Sequence, residues 1–507
     1  MKTANLLRKP PGYIVATMVC SIGGFIFGID TSIIGPVTVM DDFKRYVGNP
    51  SPNIHGLIVS SILIPAAISS FFAGRVADTL GRSRGIAIGA MIFALGAALE
   101  AASVHIAMFV VGRVIEGIGE GIYLGTIITY ICEISPPRDR GALTTAPQLL
   151  TTLGLITGFF TCYGTANIAG SFSWRLPFML LAVYAASFAA IIFVWLPDSP
   201  RWLTLRGRSD ETEQAWERLG VLGPDRERIL EQVGDDTEAV KGGGPILEAN
   251  SSSQSIIMTE RKSKPRKESK PKKSQLLDVL SPDARPRFFL AVFLMGMQQL
   301  SGIDGVLYYA PLLFRQAGLD SNEATFLASG VSAIVIFAVT IPATLCADRW
   351  GRRLNTILGG LGMTATMFLM GGLYAGNAVH GDSGAGRWIV IVCIYLFAVI
   401  YCVTWAVGVK VYASEIQPQR TRASATNIAH GSNWISNFLV ALFTPALLAN
   451  SSYGAYFLFG GCTLVTALVC IVFMPETLGK NLDDIDMAFK ARNGPMEGLK
   501  RRLRKLV

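Results

Sequence analysis

The chain has 507 residues, of which 51% are hydrophobic and only 16% are charged. Because a soluble domain usually carries about 25% charged residues, this composition excludes an ordinary soluble protein and indicates a protein embedded in lipid. The net charge of +9 does not indicate a nucleic-acid partner, since the basic residues lie mostly in short segments between apolar runs.

Twelve apolar segments are long enough to cross a bilayer as a helix, which needs about 20 residues. The predicted spans are 13–36, 56–76, 85–103, 106–131, 142–165, 176–196, 288–314, 324–346, 354–375, 388–413, 424–448 and 453–474. Six precede a long polar stretch and six follow it. The pattern predicts an all-α membrane protein with two six-helix bundles.

The long polar stretch also sets the predicted domain boundaries. These are a cytoplasmic N-terminus at 1–12, a first bundle at 13–203, a cytoplasmic linker at 204–287, a second bundle at 288–475 and a tail at 476–507. Within the linker, one or two short helices are predicted between Trp202 and Leu230, and Arg261–Lys273 is strongly basic. That basic stretch is either an anionic-lipid contact or simply a solvated connection.

The distribution of lysine and arginine predicts the orientation in the membrane. Basic residues concentrate in the connections after the second, fourth, eighth and tenth spans, and in the linker. Since cytoplasmic connections carry this excess, both termini are expected to be cytoplasmic, in a cell membrane. The eight cysteines lie in apolar runs without metal-ligand spacing.

Two polar phrases occur twice, with the copies about half a chain apart. The first phrase follows the second and eighth spans, and the second phrase follows the fourth and tenth. The charged positions are Asp78, Arg82, Glu133 and Arg140 in the first half, and Asp348, Arg352, Glu415 and Arg422 in the second. Two similar membrane halves are typical of a secondary transporter. We predict that these charges form a cytoplasmic gate; separate surface salt bridges are the alternative.

These motifs carry a resemblance over nearly the whole chain. The sequence resembles the sugar porter branch of the major facilitator superfamily. The matching motifs are Gly112-Arg113 in span four, Pro197-Asp198-Ser199-Pro200-Arg201-Trp202 after span six, Gln298-Gln299-Leu300-Ser301-Gly302-Ile303 in span seven and Pro475-Glu476-Thr477 after span twelve. Tyr308-Tyr309-Ala310-Pro311 and the long linker are most similar to fungal members. The family usually has glutamate in place of Asp198. The resemblance implies the major facilitator fold and alternating access.

Ionisable residues inside predicted spans are costly to insert, at about 2.5–3.5 kcal/mol each, and are therefore candidate functional residues. The resemblance implies that Asp30 in span one takes a proton and that Arg113 in span four tunes it. A fixed structural ion pair is the alternative. Glu116 and Glu120 lie on nearly the same face of span four as Arg113. They either extend a proton path or neutralise the arginine.

A sugar is bound by side chains that offer both donors and acceptors, with an aromatic face for its apolar side. The resemblance places the candidate sugar contacts at Phe27, Gln148, Gln298, Gln299, Tyr308, Asn433 and Trp434. Interhelical bonding by the two glutamines and ordinary packing by the aromatic residues are the alternatives.

Two charges depart from the family pattern in the predicted pocket. Asp304 stands where asparagine is usual, and Lys410 stands where tryptophan is usual. We predict that they face each other as an ion pair, because burying either charge alone is far costlier. Three roles are open for this pair. It is a structural ion pair, or both partners bond sugar hydroxyls, or Lys410 is shared with a carboxylate of the substrate. Asp304 would repel an anion, which favours a neutral sugar.

The sequence therefore predicts a proton-coupled importer of a monosaccharide, a hexose or pentose, that works with membrane lipid around it, as a monomer and without a cofactor. The alternatives are a symporter of a uronate or quinate-like acid, a passive facilitator, a sugar sensor that does not transport, and an exporter of a secondary metabolite. An enzyme is not expected, because no nucleophile–base set or metal cluster is found in the sequence.

Overall fold

The structure is a computed structural model of the chain. It describes residues 11–48, 50–136, 139–221, 226, 280–281, 284–319, 321–346, 350–379, 384–418, 422–478, 487 and 489. Nearly all of the linker after Val221, including its predicted basic stretch, lies outside the described residues, as does Asp348.

Helices form nearly all of the described part. In the first half they are α1 (Gly12–Val39), α2 (Asp41–Val47), α3 (Pro52–Ser60), α4 (Leu63–Leu80), α5 (Arg82–Ala102), α6 (Ile106–Ile134), α7 (Arg140–Thr165), α8 (Phe172–Trp195), α9 (Pro200–Leu205) and α10 (Ser209–Leu219). In the second half they are α11 (Arg285–Gln299), α12 (Ile303–Tyr308), α13 (Ala310–Gln316), α14 (Asn322–Cys346), α15 (Arg352–Ala375), α16 (Ala385–Glu415), α17 (Arg422–Asn450) and α18 (Gly454–Phe473).

The predicted spans are found within a few residues of their expected ends. Ten helical segments are long and apolar enough to cross a membrane. α6, with 29 residues, and α7, with 26, are equally long and complete the twelve. Two spans are interrupted where continuous helices were expected. The second is divided into α3 and α4 at Ser61 and Ile62, and the seventh breaks at Gly302, whose φ of 88° is left-handed.

Each half packs as a bundle around its own apolar core. In the first half α1 packs on α7, and α5 packs on both α6 and α8. In the second half α15 packs on α16 and α18, and α11 packs on α17. The halves meet where α7 packs on α14 and where α3 and α4 pack on α17. This arrangement is the predicted pair of pseudo-symmetric six-helix bundles.

The long helices of both halves end at two opposite faces of the molecule, which we name after the segments that lie there. The motif face holds the start of α1 and the turns at Gly81 and Gly351, where the duplicated phrases lie. The α2 face holds α2 and the end of α1. Because antiparallel helices alternate, every long helix runs between these two faces.

The two halves are in contact near the α2 face. A Cβ added to Gly35 of α1 would lie 1.8 Å from the Tyr308 carbonyl oxygen, and one added to Gly56 of α3 would lie 2.1 Å from the Leu442 carbonyl oxygen. Only glycine allows backbones to approach so closely. The His55 ring also meets the Tyr309 ring edge-on, with centroids 5.4 Å apart. The described halves are thus closed against each other at this end.

Two cations from opposite halves also interact electrostatically at the α2 face. Lys44 lies in α2 and Arg315 lies in α13. Partial burial, followed by the positive charge of Arg315, lowers the pKa of the Lys44 ammonium.

One or two short helices are predicted between Trp202 and Leu230, and the described part of this region contains α9, which begins at Pro200, and α10. Both pack on the motif face. Trp202 donates from Nε1 to the Asp78 carbonyl oxygen at 2.9 Å. Trp216 of α10 is only 2% exposed. A Cβ added to Gly12 would lie 2.0 Å from the Arg218 carbonyl oxygen, so α10 lies directly against the start of α1.

Candidate substrate and proton site

Arg113 is the centre of a fully buried charged cluster in the first half. Its Nη1 donates to Asp30 Oδ1 at 2.5 Å and to Glu116 Oε2 at 3.0 Å. The same nitrogen lies 3.9 Å from Glu100 Oε2. The side chains of these four residues are at most 4% exposed. The predicted pairing of Asp30 with Arg113 is present, and the arginine has additional carboxylate neighbours.

Glycines bring these carboxyl groups together. A Cβ on Gly96 of α5 would lie 2.5 Å from the Glu116 nitrogen, and one on Gly112 of α6 would lie 2.7 Å from Glu100 Cγ. α5 and α6 can therefore pack backbone to backbone. Within α6, Arg113 and Glu116 are three residues apart and share a face.

Glu120 lies deeper in the same helix and is 1% exposed. Among the described residues neither of its carboxyl oxygens has a hydrogen-bond partner, and the nearby Tyr123 hydroxyl also has none. Glu120 interacts electrostatically with Asp30 and Arg113 without contacting them. The structure therefore separates Glu120 from the direct contacts of the cluster.

Glu100 was not among the sequence-predicted site residues. It lies three residues from the end of its predicted span, where a carboxylate is expected to reach water, yet it is 0% exposed. The available signal was its position in an apolar run together with the glycine at position 96.

The predicted amides form a network in the second half. Gln298 donates from Nε2 to the Trp405 carbonyl oxygen at 2.8 Å and accepts from Asn433 Nδ2 at 3.2 Å. Gln299 donates to Asn433 Oδ1 at 3.2 Å. The Gln299 Oε1 atom is buried and has no partner among the described residues. Both glutamines thus join helices, and Gln299 also retains an acceptor for a ligand.

The remaining predicted sugar contacts are distributed over both halves. Gln148, Phe27 and Trp434 are half-buried. Tyr308 is 3% exposed and packs with the first-half core, as does Trp434. Tyr308 also interacts electrostatically with Asp30, Glu120 and Asp304, so α12 connects the charged cluster to the second half.

The predicted ion pair between Asp304 and Lys410 is not formed in this structure. Both are half-buried described residues, and they interact electrostatically, but no oxygen–nitrogen distance between them is within 4.0 Å. Asp304 lies beyond the Gly302 break, toward the α2 face, whereas Lys410 lies in the last two turns of α16 at the motif face. Their difference in depth explains the missing contact.

The first copy of the gating phrases forms a charge network. Arg82 donates from Nη2 to Glu133 Oε1 at 2.9 Å and from Nη1 to Asp78 Oδ1 at 2.6 Å. Asp198 accepts from the Ser83 backbone nitrogen at 3.0 Å, as a cap at the start of α5. Arg140 begins α7, and its buried Nε has no partner among the described residues.

The second copy repeats this geometry. Arg352 Nη2 lies 3.5 Å from Glu415 Oε1. Glu476 accepts from the backbone nitrogens of Arg352 at 2.8 Å and Arg353 at 3.0 Å. Asp348 and the Arg422 side chain lie outside the described residues. The caps at Asp198 and Glu476 were not predicted, although the motifs that carry them were.

Comparison with known proteins agrees with this architecture. A profile of the family described as "Sugar (and other) transporter" matches residues 16–489. The high-affinity glucose transporter of Kluyveromyces lactis is 29% identical over 490 residues, covering 94% of this chain and 84% of that protein. The MFS-type transporter criB of Aspergillus cristatus is 30% identical over 476 residues, covering 93% of this chain and 92% of that protein.

Solved structures show the same fold. The inward-open xylose transporter XylE from E. coli has a TM-score of 0.73 at 22% identity, covering 94% of this chain and 99% of that chain. The proton:xylose symporter XylE bound to 6-bromo-6-deoxy-D-glucose has a TM-score of 0.72 at 24% identity, with the same coverage. The predicted resemblance is confirmed, because the family profile spans nearly the whole chain. The protein is therefore a multi-pass membrane transporter and not an enzyme. The chain belongs to the sugar (and other) transporter family.

Proposed function

We propose that this sugar transporter imports a neutral monosaccharide, a hexose or pentose, together with a proton. The observation that carries the proposal is the buried contact between Asp30 and Arg113, at 2.5 Å. A carboxylate in an apolar interior that has one cationic partner is suited to bind a proton when that partner moves away. A passive transporter has no need of such a pair.

The sugar is proposed to bind between the halves, at the amide network. Gln299 has a free buried acceptor, and Asn433 bonds both glutamines. Gln148, Phe27, Tyr308 and Trp434 complete the proposed site. Relatives named as glucose transporters support a monosaccharide as cargo.

The protein is proposed to lie in the cell membrane. In the proposed orientation the motif face and both termini are on the cytoplasmic side. The domain boundaries expected from the sequence are retained in this proposal. Contact at Gly35 and Gly56 then closes the external side. Transport proceeds as the halves open there and close at the motif face, where the arginine–glutamate networks lie.

An acidic sugar is the second candidate, and one observation favours it. Lys410 has no ion pair with Asp304, so its ammonium is available to a substrate carboxylate. The negative charge of Asp304 nearby still favours a neutral cargo.

Uptake measurements separate these candidates. The protein is expressed in a cell deficient in hexose uptake, and neutral sugars and sugar acids are supplied with and without a proton uncoupler. We expect that a neutral monosaccharide is taken up and that the uncoupler abolishes this uptake. Uptake insensitive to the uncoupler indicates a facilitator, uptake of acids alone indicates the second candidate, and no uptake of any member contradicts sugar import.

A further inference from the structure

The buried cluster contains more acid than its single arginine can neutralise. Asp30, Glu100 and Glu116 all lie within 4 Å of the same Arg113 nitrogen. If all three were ionised, two negative charges would remain uncompensated where the side chains are at most 4% exposed. Such uncompensated burial is far costlier than binding protons.

Contacts within the cluster indicate which groups share protons. Glu100 Oε2 and Glu116 Oε2 lie 3.9 Å and 3.0 Å from the same Arg113 nitrogen, so the two carboxyl groups are neighbours. Because two neighbouring buried carboxylates repel each other, a single shared cation favours the state in which one of the two carries a proton. Among the described residues, neither Glu100 oxygen has a hydrogen-bond partner.

The arginine is not saturated by Asp30. Its Nε and Nη2 atoms are buried without partners among the described residues. When Asp30 binds a proton, it no longer attracts the guanidinium as an anion does. An unpaired buried guanidinium would then cost several kcal/mol.

We propose that Glu100 and Glu116 share one proton and act together as the second counter-ion of Arg113. This inference rests on the proposed proton coupling and names two positioning residues for it. With Asp30 ionised, the four groups carry one net negative charge, which attracts a proton. With Asp30 protonated, Arg113 remains paired to Glu116 and the cluster is neutral. One proton enters the cluster on Asp30 and leaves from Asp30, while the shared proton stays.

The charged and titratable groups that interact with this pair come from two elements. They are Asp30 of α1, and Arg113 and Tyr123 of α6. Glu120 of α6 and Tyr308 of α12 interact with Asp30 instead. Glu120 provides the matched control, because it is equally buried in the same helix but makes no ion pair with Arg113 within 4.0 Å. Any effect that comes from replacing a buried carboxyl group of this helix in general should appear at Glu120 as well.

The test is the dependence of sugar uptake on external pH in the full chain. The double variant Glu100→Gln with Glu116→Gln removes the shared charge but keeps the shape. We expect the proton concentration for half-maximal uptake to rise about tenfold or more, since tenfold corresponds to only about 1.4 kcal/mol. Each single variant keeps one carboxyl that can ionise, so its shift should be smaller and in the same direction.

Two results overturn the inference: a wild-type pH profile in the double variant, or an equal shift in Glu120→Gln. If the double variant does not fold, Glu116→Gln is compared with Glu116→Asp, and only the aspartate should restore the wild-type profile. Failure of the proposed function is seen separately, as wild-type uptake that does not respond to the proton gradient.

Discussion

Replacing Asp30 with asparagine removes the carboxylate that accepts the 2.5 Å hydrogen bond from Arg113. Because asparagine keeps the shape but cannot exchange a proton, we expect concentrative uptake to be lost while sugar exchange between the two sides persists. The measurement is uptake with an imposed pH gradient, compared with counterflow without one. Asp41→Asn, which changes an exposed carboxylate in α2, should retain concentrative uptake. Gradient-driven uptake by the Asp30 variant would contradict proton coupling through this residue.

The adjacent glutamines should respond differently to substitution. Gln298→Ala leaves the Trp405 carbonyl oxygen and an Asn433 donor without their partner. We expect the free energy of unfolding to fall by about 1–3 kcal/mol, which a lower thermal midpoint would show.

Gln299→Ala should instead raise the KM for sugar several-fold, because its Oε1 has no protein partner among the described residues. Its thermal midpoint should fall less than that of Gln298→Ala, because only the one hydrogen bond to Asn433 is lost. Equal loss of thermal stability in both variants would contradict the division of roles.

At the residue scale the sequence predicts a pair of interacting buried charges better than it predicts a larger cluster of them. Asp30 and Arg113 are predicted because a charge in a bilayer-crossing helix needs a partner. Glu100 is missed because helix depth, and not distance from the segment end, decides its burial. The predicted contact between Asp304 and Lys410 is absent, and the sequence does not reveal the break at Gly302 that precedes the aspartate.

At the scale of the element, Gly302 interrupts the seventh span. Its φ of 88° is left-handed, and an added Cβ would lie 2.7 Å from Phe459 Cδ2. A left-handed non-glycine residue costs about 1–2 kcal/mol. Gly302→Ala should therefore lower the free energy of unfolding by at least this amount, which a lower thermal midpoint would show. Gly372→Ala in α15, where an added Cβ meets no atom within 4 Å, should leave the midpoint unchanged or raise it. Equal midpoints for the two variants would show that the break is not required.

Elements are mostly predictable from apolar runs and their lengths. Interruptions are not, since residues 288–314 form one apolar stretch in the sequence while α11, α12 and α13 are separate helices. The caps at Asp198 and Glu476 also depend on three-dimensional proximity, because each carboxylate lies more than a hundred residues from the helix start that it caps.

At the scale of the whole molecule, Gly56 allows the halves to close at the α2 face. Gly56→Ala would place a methyl group 2.1 Å from the Leu442 carbonyl oxygen, which should prevent closure and reduce uptake about tenfold or more. A cysteine introduced as His55→Cys should then react faster with a membrane-impermeant thiol reagent. Gly164→Ala, with no atom within 4 Å of its added Cβ, serves as the control. Normal uptake in Gly56→Ala would show that closure tolerates the methyl group.

The internal repeat predicts two similar halves, and the structure shows the arginine–glutamate contact in both copies. The relative position of the halves is not predictable from the repeat, because an alternating transporter populates more than one arrangement of the same sequence.

The electrostatic interaction between Lys44 and Arg315 has a consequence for the balance between these arrangements. The two cations belong to different halves, so their repulsion acts only while the α2 face is closed. Dissolved ions screen this repulsion over a Debye length of about 8 Å at 0.15 M ionic strength. The conformational equilibrium should therefore depend on salt: dilute medium favours separation of the halves at this end, and concentrated medium holds them together.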